Sequence, residues 1–265
     1  MPEGDTVWLA GQRLHAALAG RPLTHSDFRV PRYATVDLVG RTVLEVISRG
    51  KHLLTRMDGD LTLHTHFRMD GSWRLFRAGE SWTGGPAHTI RVVLGNAEWL
   101  AVGYRLPVVD LVPTSEEAQV IGHLGPDLLG PDWDPQLALA NLRGRPDEQI
   151  GVALLDQRNL AGLGNIYRCE VCFLSGVSPW TPVRNVPDLD RMVELSHKLL
   201  WVNRDRPGQS TTGDLRRDRA TWVVGRARRP CRRCGTPIRV VEQGTPPQQR
   251  VTYWCPRCQP LFGKQ

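Results

Sequence analysis

Apolar residues at Val7, Ala10, Leu14 and Leu18 recur at helical spacing and stop before Gly20 and Pro22, which predicts one amphipathic helix starting near Asp5 or Thr6. From about residue 35 to 112 the pattern shortens to β-rich runs at 43–47, 52–57, 61–66, 73–76, 90–94, 99–102 and 108–112. The turn signals Asp58-Gly59, Asp70-Gly71 and Gly95-Asn96 fall between these runs, at intervals that suit an antiparallel sandwich or barrel. After Pro113 proline and glycine punctuate the chain until helical periodicity returns at roughly 134–142, 147–156, 165–175 and 187–203. The expected fold is therefore α+β in two domains. An N-terminal antiparallel β-sandwich with its helix would occupy 1–125 and a helical unit 126–222, the latter extended by a cysteine-bearing segment at 223–265.

A chain of 265 residues with 40% hydrophobic and 23% charged residues can bury a core without staples, and neither disorder nor a collagenous sequence fits that balance. No apolar run reaches the ~18 residues a membrane helix needs. The start, Met-Pro-Glu-Gly-Asp, carries acids where a signal peptide needs basic residues, so a cytoplasmic protein is expected. The net charge of +7 is unevenly placed: residues 214–265 hold twelve basic against three acidic residues, a net of +9, which leaves −2 for the preceding 213. Such a basic end fits a polyanion such as nucleic acid, or is simply a solvated Arg-rich tail. Of the 34 basic residues only Lys51, Lys198 and Lys264 are lysines.

All six cysteines lie in the C-terminal half, a distribution that in a cytosolic protein suggests metal before disulfides. Cys231 and Cys234 form one pair with two residues between them, and Cys255 and Cys258 form another. The intervening segment is long enough for a β-hairpin, so the two turns can converge on one tetrahedral Zn2+. Four thiolates close its coordination shell, which makes the expected zinc structural. Arg226, Arg228, Arg229, Arg232, Arg233 and Arg250 punctuate this segment and favour a phosphate-contacting role. Cys169 and Cys172 have no further ligands in sequence and read as core residues. His64 and His66 share a strand face but lack an evident third metal ligand, so ordinary polar packing is expected of them.

Pro2 would become a secondary amine at the chain start once Met1 is removed, and a terminal amine, titrating near ~8, is partly nucleophilic at neutral pH. Taken singly, a second-position proline is usually incidental. Four segments occur together here, however: Met1-Pro2-Glu3-Gly4; Ser48-Arg49-Gly50-Lys51-His52-Leu53; the stretch from Leu155 to Tyr167 with Gly162-Leu163-Gly164-Asn165; and Val224-Gly225-Arg226 leading into the four cysteines. In this order they resemble the formamidopyrimidine-DNA glycosylase and endonuclease VIII family of base-excision repair enzymes, over nearly the whole chain.

The resemblance implies a β-sandwich joined to a helix-two-turn-helix and zinc-finger domain, with damaged DNA, double-stranded or partly single-stranded, bound between them by a monomer. It implies a bifunctional glycosylase and AP lyase with Pro2 as nucleophile, Glu3 as acid/base and Lys51 at the phosphate and lesion. Asn165 and Gly164 at a helix start, together with Arg250 of the finger, would grip phosphates, and Met69 would fill the gap left by a flipped nucleotide. Without the resemblance, a lone Met reads as core and a Gly-rich turn as a helix end. The formamidopyrimidine branch's Arg-Phe pair is not found around 103–107, and 209–224 is short where that branch has a longer loop over oxidised purines. These departures favour the endonuclease VIII branch, whose usual substrates are oxidised pyrimidines and abasic sites. Thr6 stands where many members have a second glutamate, and Val223-Val224 replaces a more usual aromatic before Gly225. The alternatives are an 8-oxoguanine-type glycosylase and a non-catalytic zinc-finger protein that binds damaged DNA.

Overall fold

A computed structural model describes residues 2–83, 85–216 and 218–263, which group into two compact units, Met1–His123 and Leu124–Gln265. Met1, and Arg217 and Lys264 of the basic stretch, lie outside the described residues.

In the first unit, α1 (Gly4–Leu18) is followed, among the described residues, by nine strands: β1 (Arg21–Pro22), β2 (His25–Phe28), β3 (Thr42–Arg49), β4 (His52–Met57), β5 (Leu61–His66), β6 (Ser72–Arg77), β7 (Ile90–Gly95), β8 (Trp99–Tyr104) and β9 (Val108–Pro113). They form two antiparallel sheets, ordered β1-β3-β4-β5-β9 and β2-β7-β8-β6. Of the two architectures the alternation allowed, the sandwich is therefore the one formed. Its core joins Val43, Val46, Leu53, Met57 and Leu63 of one sheet to Phe28, Val92, Leu94 and Ala101 of the other, with Val7, Leu14, Ala17 and Leu18 of α1. Alternation made the seven longer strands readable. The strands β1 and β2 were not, because His25-Ser26-Asp27-Phe28 offers a single apolar side chain and is held by pairing to β7.

α1 seats closely on β3 and β4 because Gly11 carries no side chain. A Cβ there would lie 3.1 Å from Leu53 Cδ1 and 3.6 Å from the Ser48 backbone nitrogen. On its other face, the five-stranded sheet carries a polar layer instead of a second core. Arg56 spans Glu45 and Glu117 at 2.6 Å each, and Thr62 donates to Glu117 at 2.6 Å. Burial pushes the Glu117 carboxyl up, but the hydrogen bonds from Arg56 and Thr62 outweigh it and hold the group below its ordinary value. Glu117 immediately precedes a short helix missed in sequence, α2 (Ala118–Ile121).

The second unit contains α3 (Pro135–Arg143), α4 (Ile150–Ala153), α5 (Asn165–Leu174) and α6 (Leu189–Asn203), followed by the hairpin β10 (Arg239–Gln243) and β11 (Arg250–Trp254). Asp134 caps α3 through Gln136 N and Leu137 N, with Pro135 in the first turn. The helix expected over 147–156 is only four residues long. Its leading N–H groups turn outward, Ile150 N to Thr181 O and Gly151 N to Pro179 O, while Leu155 N closes a tight turn on Val152 O. Gly151 admits the neighbouring chain, since a Cβ would stand 2.9 Å from Pro179 O. Cys169 and Cys172 are fully buried, as expected for core thiols, and burial pushes the Cys172 thiol up to about 12. Among the described residues no helix is long and apolar enough to cross a membrane.

Candidate functional site

Glu3 is the N-cap residue of α1 and is completely buried, with Gly4 and Asp5 buried behind it; Pro2, one residue earlier, is half-buried. Thr6 is tied to Asp5 by its own N–H (2.7 Å) and hydroxyl (3.3 Å), both donated to Asp5 Oδ1. α1 packs on β3, and β3 ends in the two-residue turn to β4 that carries Lys51. Gly50 opens this turn at φ +58°, a conformation hairpin turns assign to glycine.

A second turn, from Phe67 to Gly71, leaves the far end of β5. Gly71 N donates to Phe67 O at 2.9 Å, and a Cβ on Gly71 would stand 2.7 Å from that oxygen, so glycine is required. Met69 at its tip is 56% exposed, which rejects the core reading of this methionine.

In the second unit the link before α5 is tied by Gln157. Its Oε1 accepts from Gly162 N at 3.0 Å and its Nε2 donates to Leu155 O at 2.8 Å and Leu163 O at 3.0 Å. This sets Gly164 as the N-cap of α5 and Asn165 as its first residue. The Asn165 side chain is engaged within the protein: Oδ1 accepts from Arg168 Nη2 at 2.5 Å, and Nδ2 donates to Val251 O of β11 at 2.8 Å. Arg168 is fully buried and donates to Gln243 Oε1 at 2.6 Å, and Gln243 in turn donates to Gln149 Oε1 and Pro179 O. A chain of polar side chains thus joins α5 to both strands of the hairpin. Arg250, beside Val251, is exposed, with its guanidinium donating to Gln249 O at 2.7 Å.

Sequence reasoning missed Arg168 and Glu170. Glu170 is fully buried and accepts from Trp222 N, Val223 N, Val224 N and the Thr211 hydroxyl, pinning the short 209–224 segment to α5. Burial raises this carboxyl above its ordinary value against the pull of the four donors. Two charged residues inside an otherwise apolar helical run were the available signal.

The four cysteines meet. Cys231 Sγ lies 3.9 Å from Cys258 Sγ, Cys234 Sγ lies 3.4 Å from Cys255 Sγ, and all four sulfurs fall within 4.8 Å of one another. A tetrahedron with Zn–S bonds of ~2.3 Å has edges of about 3.8 Å, whereas a disulfide needs ~2.05 Å, so the donor set fits one zinc ion and no disulfide. Cys231 and Cys255 share a small core with Cys169, Phe173, Val223 and Ile238, so the metal turns are seated on α5. With four sulfur ligands the zinc is structural.

The profile of the formamidopyrimidine-DNA glycosylase N-terminal domain matches residues 1–105, that of the same family's H2TH domain residues 124–200, and that of the zinc finger found in FPG and IleRS residues 229–261. The chain belongs to the formamidopyrimidine-DNA glycosylase family. Within it the endonuclease 8 branch is the one matched. The chain is 63% identical over 98% of its length to a Streptomyces coelicolor protein named "Probable endonuclease 8 2", 94% of which is covered. It is 48% identical, over 98% of its length and 99% of the relative's, to the DNA-(apurinic or apyrimidinic site) lyase Nei2 of Mycolicibacterium smegmatis. Endonuclease 8 of Escherichia coli is 33% identical over 98% of this chain and 100% of its own. In fold, the chain is similar to a Lactococcus lactis Fpg solved with DNA containing N7-benzyl-Fapy-dG, at a TM-score of 0.81, 23% identity and coverage of 98% and 100%.

Proposed function

We propose that this member of the family is a base-excision DNA glycosylase with AP lyase activity that removes oxidised bases, pyrimidines foremost, through a Schiff base on Pro2. Once Met1 is removed, the Pro2 amine attacks C1′ of the damaged nucleotide and the base departs. The sugar ring then opens, leaving an iminium carbon that acidifies the C2′ protons. Loss of such a proton expels the 3′ phosphate, and a second elimination expels the 5′ phosphate. Glu3 protonates the opening sugar oxygen and then shuttles protons during elimination. The observation that carries the reading is the placement of a completely buried Glu3 directly after Pro2 at the start of α1.

Lys51 contacts the phosphate and lesion as a compact ammonium in a chain that otherwise favours arginine. The exposed Met69 fills the space of the flipped nucleotide. Gly164 and Asn165 at the start of α5, with Arg250 of the finger, grip phosphates through N–H donors and a guanidinium. Arg168 orients the Asn165 amide in this arrangement. Because its oxygen faces Arg168, its NH2 group points away, with one proton on Val251 O and the second left for a phosphate. The same reading makes the protein a cytoplasmic, nucleoid-associated monomer acting on double-stranded or partly single-stranded DNA, with functional divisions at 1–125, 126–222 and 223–265.

Borohydride trapping tests the proposal. Wild-type protein with a mass-verified Pro2 terminus, incubated with abasic-site duplex and reduced, should form a covalent adduct that Pro2→Gly does not. No adduct with wild type refutes the nucleophile. Side-by-side excision on thymine glycol and 8-oxoguanine duplexes tests the substrate branch, since faster 8-oxoguanine removal would overturn the pyrimidine preference.

A further inference from the structure

Cross-strand register brings together histidines that sequence separates. His52 of β4 pairs with His66 of β5, and His64 of β5 pairs with Asp110 of β9. His52 Nδ1 lies 2.8 Å from His64 Nε2 with the two rings stacked, and His66 packs edge-on against His52 at 4.7 Å between centroids. His123 approaches the same ring at 6.0 Å. The charged groups facing this cluster are Lys51 and Arg68 from the two turns, Asp110 from β9 and Glu117 from the segment over the sheet.

The tautomers follow from the neighbours. His64 Nδ1 is buried, has no hydrogen-bond partner among the described residues, and lies 3.7 Å from Asp110 Oδ2. A lone pair facing that carboxylate would be repelled, so the proton sits on Nδ1 and Nε2 accepts from His52 Nδ1–H. His66 Nδ1 accepts the Arg68 N–H at 2.9 Å, across a residue held at φ +46°. His52, His64 and His66 are thereby each assigned one tautomer, and an added proton on His64 or His66 breaks a link. On His64 it would set two N–H groups against each other; on His66 it would release Arg68. Burial, with the other histidines and Lys51 adding to it, pushes His52 down to about 3, and burial foremost pushes His66 to about 4.

The cluster sits where two turns leave the β4–β5 pair: Lys51 immediately precedes His52, and the Met69 turn immediately follows His66. We propose that the Asp110–His64–His52 chain, with His66 packed across it, is a positioning device that sets the Lys51 turn and the Met69 turn relative to each other for catalysis. This rests on the assignment of Lys51 and Met69 to DNA contact.

The experiment compares His64→Leu with His64→Gln on abasic-site duplex at pH 7.5, together with nitrogen-15 NMR of the wild-type histidine rings. His64→Leu should lower kcat about tenfold, with KM within twofold and an unchanged melting temperature. His64→Gln, which keeps an acceptor for His52 and a donor toward Asp110, should recover most of the loss. A wild-type rate in His64→Leu, or no recovery in His64→Gln, overturns the proposal. If His64→Leu does not fold, the decision passes to His64→Gln: kcat within threefold of wild type supports the chain, and a tenfold loss overturns it. The NMR arm is independent of activity. A proton on His64 Nε2 overturns the chain even if cleavage is normal, whereas a protein that traps no DNA but shows Nδ1–H on His64 refutes the enzyme reading and leaves the chain intact.

Discussion

The two units hold their proposed functional residues by different means. In the sandwich, Pro2, Glu3, Lys51 and Met69 sit at a helix start and in two turns carried by an apolar core between two sheets, with α1 wedged in by Gly11 and the histidine chain tying the two turns together. In the second unit, Asn165 and Arg250 are held by a buried chain of polar side chains and by four cysteines that fit one zinc ion, because the hairpin buries little apolar surface of its own. Val240, Val241 and Val251 of that hairpin are exposed rather than packed. A core of the first kind resists changes of volume, whereas a scaffold of the second kind depends on its metal.

The sharpest way to break this division is Glu3→Gln, which should slow base excision by ~10²–10⁴-fold, the range of general acid–base contributions, while DNA affinity stays within a few-fold. Equal losses in binding and rate would show that Glu3 supports the fold instead. Chelating the zinc should weaken DNA binding about a hundredfold and leave the sandwich folded by circular dichroism, since metal binding supplies the hairpin's folding free energy. Retained affinity in metal-free protein would remove the finger from the grip. On the sandwich side, Gly11→Val should cost ~1–3 kcal/mol by forcing α1 off β3, seen as a lower melting temperature with zinc content unchanged.

Acid should also act on the sandwich. His52 and His66 have folded values of about 3 and about 4 against an unfolded 6.5, so the folded state binds fewer protons than the unfolded one. Their contribution is complete above pH ~6.5 and is lost as pH falls through about 4 for His66 and about 3 for His52, at up to about 1.4 kcal/mol per histidine per pH unit. Melting curves at pH 7 and 5 read this directly, and a flat profile would contradict the burial of the cluster. The smallest effect belongs to Arg250→Ala, which should weaken binding by ~1 kcal/mol and lower the slope of log affinity against log salt by about one. An unchanged slope would mean that Arg250 touches no phosphate.

What was legible in the sequence follows the same divide. Alternating apolar residues disclosed the seven longer strands, and paired cysteines disclosed the metal, because both signals are local. Interactions set by register were hidden: His64 and His66 lacked a visible partner until β4 brought His52 opposite His66 and β9 brought Asp110 opposite His64. The polar chain from Gln149 through Gln243 to Arg168 joins three distant segments and leaves no periodic trace. The helix expected over 147–156 was overextended because periodicity cannot see that the N–H groups of Ile150 and Gly151 are claimed by the segment around Pro179.

The core that Cys231 and Cys255 share with Cys169 and Phe173 bears on any attempt to exchange fingers between relatives. A graft cut at 229–261, where the finger profile begins and ends, would carry the four ligands and leave behind Phe173, Val223 and the Arg168 partner of Gln243. Such a chimera would bind its metal and still dock poorly. The transplantable unit is α5 together with the hairpin, with Gln149 in the host matched to the incoming Gln243.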